Sequence, residues 1–371
     1  MTSLVLPAAV LSRARREAAA FHALTGATVD AAEILAGRAA LQGLRPRGRV
    51  SAGGATRLMP ARDGWCALTL SRPDDVAAVP ALLESDGVDD DPWPAVQRWV
   101  ADHDAAAVTE RARLLGLPVA ALGETPAAPP RIRSVGTTAA GRDLSGLLVA
   151  DLSSMWAGPL CGQLLARAGA TVVKVETQAR PDGARSGPPA FFHWMNSEKL
   201  SYVADFDDPA GLRRLLHAAD VVIESSRPAA LARRHLGPSD IGPRDGRVWL
   251  RITGHGTDGE RVNWVAFGDD AAVSGGLVSP GEGGPVFCGD AIADPLTGLH
   301  AALAAAESLR RGGGELIELA MAAIAATYAE LLGEPETPCG AQPLLSEPAA
   351  RLGADNAKVD RLVSERRLAS C

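Results

Sequence analysis

LLVADLSSMWAGPLCGQLLARAGATVVKVE, residues 147–176, decides the fold of this chain. An apolar run ends in Ser-Ser-Met-Trp, an amphipathic stretch follows, and a second apolar run closes on Glu176. Apolar runs of strand length on either side of a helical period predict one βαβ unit. The turn holds Ala157-Gly158-Pro159 where a dinucleotide fold carries GxGxxG, so a nicotinamide dinucleotide is the poorest ligand reading. Pro159 suits a first helical turn, and small residues let a ligand approach the free N–H groups there. A plain turn with no ligand role reads equally well.

Outward from this unit, residues 201–204, 220–225 and 248–253 are further strands, with helices at 159–168 and 209–218. Short β-rich runs alternating with helices predict a parallel, doubly wound sheet. Its ligands sit beyond the carboxyl ends of the strands, here Ser153–Trp156, the residues after Glu176, Ser225–Arg227 and Thr253–His255. Upstream, 10–44 has helical periodicity, 63–75 reads as turn, strand and stop, and 76–122 as two or three helices. A Pro/Ala/Arg-rich linker follows at 125–143. Beyond 260, glycine turns at 275–276 and 281–284 precede an Ala-rich helix at about 294–311, a strand, another helix and a charged helical tail. The expected division is 1–124, linker 125–143, a Rossmann-like part at 144–260, and 261–371. No internal repeat is visible.

The 371 residues are 47% hydrophobic, enough for a sizeable core. A formal charge of −7 argues against nucleic acid as a partner. The five cysteines form no CxxC pair, so neither a zinc site nor a disulfide framework is expected, and no metal. The apolar run at the N-terminus precedes its positive charges, the reverse of a signal peptide, and no run reaches membrane-spanning length. A soluble cytoplasmic protein with no membrane partner is the expectation.

Two clusters carry candidate chemistry. Arg180, Arg185, Lys199, Arg227, Arg233 and Arg234 follow predicted strands or turns. Each reads first as solvated surface charge, but several on one sheet edge would hold a phosphate. Phe267-Gly268-Asp269-Asp270 precedes an Ala-rich run. Adjacent acids there either cap a helix or supply a nucleophile or general base beside a glycine loop. Among seven histidines only His255 lies in an obvious loop, and a structural role is the more natural one.

The stretches VADLSSMWAGPLCGQLLARAGATVVKVE, RPDGAR, NSEKLSYVADFDDP, ADVVIESSRPAAL, RITGHGTDG, GPVFCGDAIADPLTGLHAAL and RRGGGELIELA occur over residues 146–320 in the order typical of class III CoA-transferases. The chain resembles that family, which also holds formyl-CoA transferase and α-methylacyl-CoA racemase. DGWCALTLSRPDD and LLGLPVAAL resemble segments that members carry after GGELIELA, so the resemblance implies a circularly permuted or rearranged member.

It further implies an α/β fold, a Rossmann-like large domain plus a smaller α+β domain, and two interlocked chains in a homodimer. The implied activity moves CoA from an acyl-CoA thioester to a carboxylic acid through an aspartyl anhydride and an aspartyl thioester. The family motif places its aspartate a few residues before Ala-x-Ser-Gly; aligning Ser274-Gly275 puts that position at Phe267, and a two-residue gap brings in Asp269, with Asp270 next. Coenzyme A, as substrate, would meet Met155, Trp156, Ala157, Arg185, Lys199, Ser225, Ser226, Arg233 and Thr253. Two alternatives are an acyl-CoA racemase or epimerase, with His235 or His255 as the second acid–base group, and a catalytically silent CoA-binding homologue.

Overall fold

A computed structural model describes residues 4–85, 87–242, 244–331, 335–345 and 347–369. Seven strands form one sheet in the order Arg131–Ser134, Glu315–Ala320, Val248–Thr253, Val221–Glu224, Leu148–Leu152, Thr171–Glu176, Leu200–Val203. Every neighbouring pair is parallel except the first, where Arg131–Ser134 runs antiparallel with Ser134 opposite Glu315. The central strands are covered on both faces, which explains their unbroken apolar runs. Helices Ala157–Arg167 and Ala293–Arg311 build the core on one face; Ala210–Ala218 and Asn356–Ala369 build it on the other. The first pair cross closely because Gly298 carries no side chain: a Cβ there would lie 2.6 Å from the Ala157 carbonyl oxygen.

From Leu148–Leu152 the chain winds to one side through Thr171–Glu176 and Leu200–Val203, then returns to the other side of the same strand as Val221–Glu224. The direction of winding reverses between Leu148–Leu152 and Val221–Glu224. In such sheets a crevice opens at this point, outside the carboxyl ends of the strands.

A second, antiparallel sheet of Thr56–Pro60, Trp65–Thr69 and Val119–Ala121 carries its own core, in which Met59, Cys66 and Leu68 meet Val96, Val100, Val108 and Ala112 of helices Trp93–Ala101 and Ala105–Leu114. This is the smaller α+β unit. The earlier helices Ala8–Thr25 and Ala31–Gln42 join the large core instead, through Phe21, Ile34 and Leu35.

The five strands and two helices expected within 147–253 lie where the spacing predicts, to within two residues, and helices Pro189–Asn196 and Pro228–Ala232 are added to them. Two expectations need correction. The 76–122 segment is not helical throughout, because Val119–Ala121 pairs as a strand with Trp65–Thr69. The 125–143 segment is more than a linker, because residues 131–134 close one edge of the large sheet. Their side chains are exposed throughout, so the apolar pattern of a strand is missing. The turn at 281–284 is the tip of a hairpin between Val278–Gly281 and Gly284–Phe287. Cys66, Cys161, Cys288 and Cys339 are buried free thiols; Cys371 lies outside the described residues. No helix among the described residues is long and apolar enough to cross a membrane.

Asp220 fastens the foot of the sheet. Its buried carboxylate meets Arg142 at 3.1 Å, Arg244 at 3.0 Å and Arg366 at 2.7 Å, and accepts the Leu148 amide at 2.9 Å. Burial pushes its carboxyl upward, but the Leu148 amide and the guanidinium groups outweigh it and hold it below the ordinary range. Asp220→Asn should cost about 2 kcal/mol in urea unfolding at pH 7, less than a fully buried pair because the arginines are partly exposed. A depressed carboxyl stabilises above its unfolded value of about 3.9 and loses that contribution as pH falls through the folded value. The gap between wild type and Asp220→Asn should therefore close below about pH 4.

Candidate active site

The adjacent acids open helix Gly268–Ser274 and have different surroundings. Asp270 is fully buried. Its Oδ1 accepts the Phe267 amide at 3.0 Å and the Thr69 hydroxyl at 2.8 Å, and its Oδ2 has no hydrogen-bond partner among the described residues. Burial drives this carboxyl up to about 8, so it is a neutral acid at pH 7 that caps the helix. Asp269 is only partly buried. Its Oδ1 accepts the Ala291 amide at 2.9 Å and its Oδ2 the Thr56 hydroxyl at 3.3 Å. Burial raises this carboxyl too, opposed by Arg38, the Ala291 amide and the hydroxyls of Ser51 and Thr56. Ala291 holds φ at +43°, a strained backbone for a residue with a side chain, and its N–H is thereby aimed at the acid.

Two further acids and one cation complete the cluster. Arg38, on helix Ala31–Gln42, reaches Asp290 Oδ1 at 3.3 Å. Its guanidinium lies 5.4 Å from the Trp156 ring centre and 5.9 Å from that of Phe191. Asp290 is buried, and neither of its oxygens makes a hydrogen bond among the described residues. Asp294, in the first turn of Ala293–Arg311, accepts the Ala157 amide. Burial raises both, Asp290 to about 6 and Asp294 to about 7, with Arg38 pulling against it. A Cβ on Gly268 would collide with Asp294 and the Ala291 carbonyl, so glycine is required where the acid pair meets this loop. The Ala-Gly-Pro turn therefore begins at the acid cluster.

The same turn edges the switch-point crevice. The Ser154 amide donates to the Ser225 hydroxyl at 3.2 Å, joining the ends of the two central strands. Met155 is 40% exposed with φ at +73°, and its amide donates to Asp182 at 3.0 Å. Trp156 Nε1 and Ser226 Oγ are buried without a partner among the described residues, as expected where a polar ligand belongs. Arg227 and Arg233 stand exposed. Thr253 donates to the Leu319 carbonyl at 3.3 Å and accepts the Gly256 amide at 3.0 Å.

Two of the cations named from sequence do not point outward. Lys199 is buried, with its ammonium 2.8 Å from both Asp151 Oδ2 and the Pro159 carbonyl. Arg185 forks onto Glu176 at 2.7 and 2.8 Å. Both neutralise carboxylates that the sheet buries, and neither has a free face for phosphate. His255 is buried against Trp264 and 3.4 Å from Ser274; burial lowers it to about 3, so it is neutral. His235 lies on the exposed surface at φ +52°.

Sequence reasoning missed Arg38, Ser51, Thr56, Thr69, Asp290 and Asp294. The only cue was GDAIADP, where two acids four residues apart enter a helix. A cavity of about 420 Å³ elsewhere, walled by Arg13, Glu17, His300 and residues 127–130, is lined by none of these groups.

Fold and site together define a doubly wound α/β protein with a cluster of carboxyl groups beside the Trp156–Ala157 turn at its topological switch point. The chain belongs to CoA-transferase family III, which residues 144–338 match. It is 34% identical over 204 residues to the succinate–glutarate CoA-transferase of Agrobacterium fabrum, covering 48% of this chain and 50% of that protein. It is 30% identical over 196 residues to the succinyl-CoA–D-citramalate CoA-transferase of Chloroflexus aurantiacus, covering 48% and 49%. A crystal structure of a CAIB/BAIF family protein from Brucella suis aligns with a TM-score of 0.45 at 29% identity, covering 53% of this chain and 59% of that one. The chain thus spans about half the length of the curated relatives it matches.

The asymmetry between the two acids is testable through stability. Folded Asp270 keeps its proton up to about pH 8, whereas the unfolded chain releases it near pH 4. Its burial therefore costs progressively more stability as pH rises between those values. Asn can keep both accepted hydrogen bonds. Asp270→Asn should match wild type in urea unfolding near pH 4 and exceed it at pH 7 by on the order of 1 kcal/mol or more.

Proposed function

We propose that this protein transfers CoA from an acyl-CoA thioester to a carboxylic acid, with Asp269 as nucleophile. The observation that carries the reading is that Asp269, the partly open member of the acid pair, is held by hydroxyls, an amide and the field of Arg38 beside the Trp156–Ala157 turn. A nucleophilic carboxylate must be ionised yet partly desolvated: burial raises this carboxyl, and Arg38, the Ala291 amide and the two hydroxyls favour its ionised form against that burial. Asp270, neutral and bound to its helix, is a poor candidate for attack.

The steps conserve atoms and charge. An Asp269 oxygen attacks the thioester carbonyl and expels CoA thiolate, leaving a mixed anhydride. The thiolate attacks the aspartyl carbonyl, which releases the donor carboxylate and leaves an aspartyl-CoA thioester. The acceptor carboxylate repeats the sequence in reverse. No proton is consumed. The CoA body would lie over the switch point against Met155, Trp156, Ala157, Ser225, Ser226 and Thr253, with exposed Arg233 for a phosphate. Arg185 and Lys199 shape the loops from beneath.

The order of segments supports a permuted member, whose small unit precedes the βαβ start at 147. The family also supports an interlocked homodimer, and sedimentation would measure it. One observation favours a second reading: burial raises Asp290 to about 6 and Asp294 to about 7, so acids that titrate near neutral pH stand beside Asp269, the acid–base pairing a racemase needs. Exchange of the substrate α-hydrogen in D2O without CoA transfer would select it.

Incubation with an acyl-CoA followed by hydroxylamine or borohydride should leave a modified Asp269, mapped by mass spectrometry. Asp269→Asn should abolish the adduct and lower transfer on the order of a thousandfold or more. Asp270→Asn should retain both within about tenfold. An adduct on another residue, or an active Asp269→Asn enzyme, would reject the assignment.

A further inference from the structure

Resting on the reading of Asp269 as nucleophile, the geometry assigns a positioning role to Arg38: its guanidinium, paired with Asp290 and set over Trp156, is the counter-charge of the acid cluster, favours the ionised form of Asp269 and ties the acid loop to the Trp156 turn. Arg38 comes from the N-terminal helix Ala31–Gln42, outside the matched stretch 144–338, and more than 200 residues from the acids it faces. Its side chain is 22% exposed, enough to meet the crevice and too little for water to screen it. Three features fix its place. It pairs with Asp290 at 3.3 Å. It lies over the rings of Trp156 and Phe191 at 5.4 and 5.9 Å, a placement that suits a planar cation. Gly53 gives it room, since a Cβ there would sit 2.8 Å from its terminal nitrogen.

The groups facing Asp269 can be named from each element. Arg38 comes from Ala31–Gln42, Ser51 and Thr56 from the small unit, Asp270 from its own helix, and Asp290, the Ala291 amide and Asp294 from the following loop and helix. The hydroxyls, the amide and protonated Asp270 are neutral, and Asp290 and Asp294 repel an anion when they ionise. Arg38 thus supplies the positive charge in this set. It also acts on Asp290 and Asp294, so the four side chains share one balance of protons.

The sign follows. Burial lifts Asp269 and Arg38 lowers it, so removing Arg38 lifts it further. The fraction ionised at neutral pH falls and recovers at higher pH. An opposite charge close to a carboxylate is worth about 1–3 pH units. Removing the competing anion at Asp290 leaves the charge of Arg38 less divided and should move Asp269 the other way.

The test is the pH profile of kcat/KM for CoA transfer in wild type, Arg38→Gln, Arg38→Lys and Asp290→Asn. Arg38→Gln should move the acid limb up by about 1 unit or more, losing about tenfold or more at neutral pH and regaining activity at alkaline pH. Arg38→Lys should leave the limb near the wild-type position, and Asp290→Asn should move it down. A uniform loss at all pH values, or an unmoved limb in a soluble folded variant, overturns the proposal. If wild type transfers no CoA, the nucleophile reading fails, yet the carboxyl titration of Asp269 still tests Arg38. That titration is followed by ¹³C NMR of labelled aspartate, assigned by its loss in Asp269→Asn. Its midpoint should rise in Arg38→Gln, and an unchanged midpoint overturns the proposal. Should Arg38→Gln fail to fold, Asp290→Asn carries the test: a downward shift supports the proposal and no shift overturns it.

Discussion

Four carboxyl groups, two of them fully buried, and one guanidinium meet in a partly closed cluster. Such a cluster persists only if most of its acids stay neutral or find a partner, because each unpaired buried charge costs several kcal/mol. Here Asp270 gives up its charge, Asp290 and Asp294 titrate near neutrality, and burial raises Asp269 against the pull of Arg38. The cluster draws on both ends of the chain. Arg38, Ser51, Thr56 and Thr69 come from the first 70 residues, and the acids lie between 269 and 294. Neither end forms the cluster alone, so the small unit and the large sheet must dock before any acid chemistry is possible.

The crevice beside the cluster is held open by a second set of buried ion pairs. Lys199 meets Asp151, Lys174 meets Asp182, and Arg185 meets Glu176, all beneath the loops at the carboxyl ends of the central strands. Lys174 also donates to the Ser153 carbonyl, and Asp182 accepts the Met155 amide. These bonds fix Met155 in a backbone conformation that a side chain rarely adopts, and so aim Trp156 and the Ala157 amide at the acids. The cations here shape the floor of the site rather than bind its ligand. Preorganisation of this kind lets a site act without rearranging at the moment of reaction.

Periodicity was enough to find the strands of the large sheet, because strands buried on both faces must be apolar throughout. The edge strand Arg131–Ser134 escaped because its side chains face solvent. The acid pair was legible as a motif, but the different fates of its members were not: Asp270 is neutral because burial outweighs the Phe267 amide and the Thr69 hydroxyl, which favour its charge, and its other oxygen meets no partner among the described residues. Lys199 and Arg185 read as phosphate ligands because a linear sequence does not display Asp151 or Glu176 beneath them. Arg38 left no trace, since the rings and acids it meets lie more than 100 residues away.

The account turns on where a thioester comes to rest. A crystal structure with a non-hydrolysable acyl-CoA analogue measures that directly. The account predicts the nucleotide over the ends of Leu148–Leu152 and Val221–Glu224, with the carbonyl carbon facing Asp269 and Arg38 still over Trp156. A carbonyl closer to Asp270 or Asp290, or a nucleotide on another edge of the sheet, would contradict it.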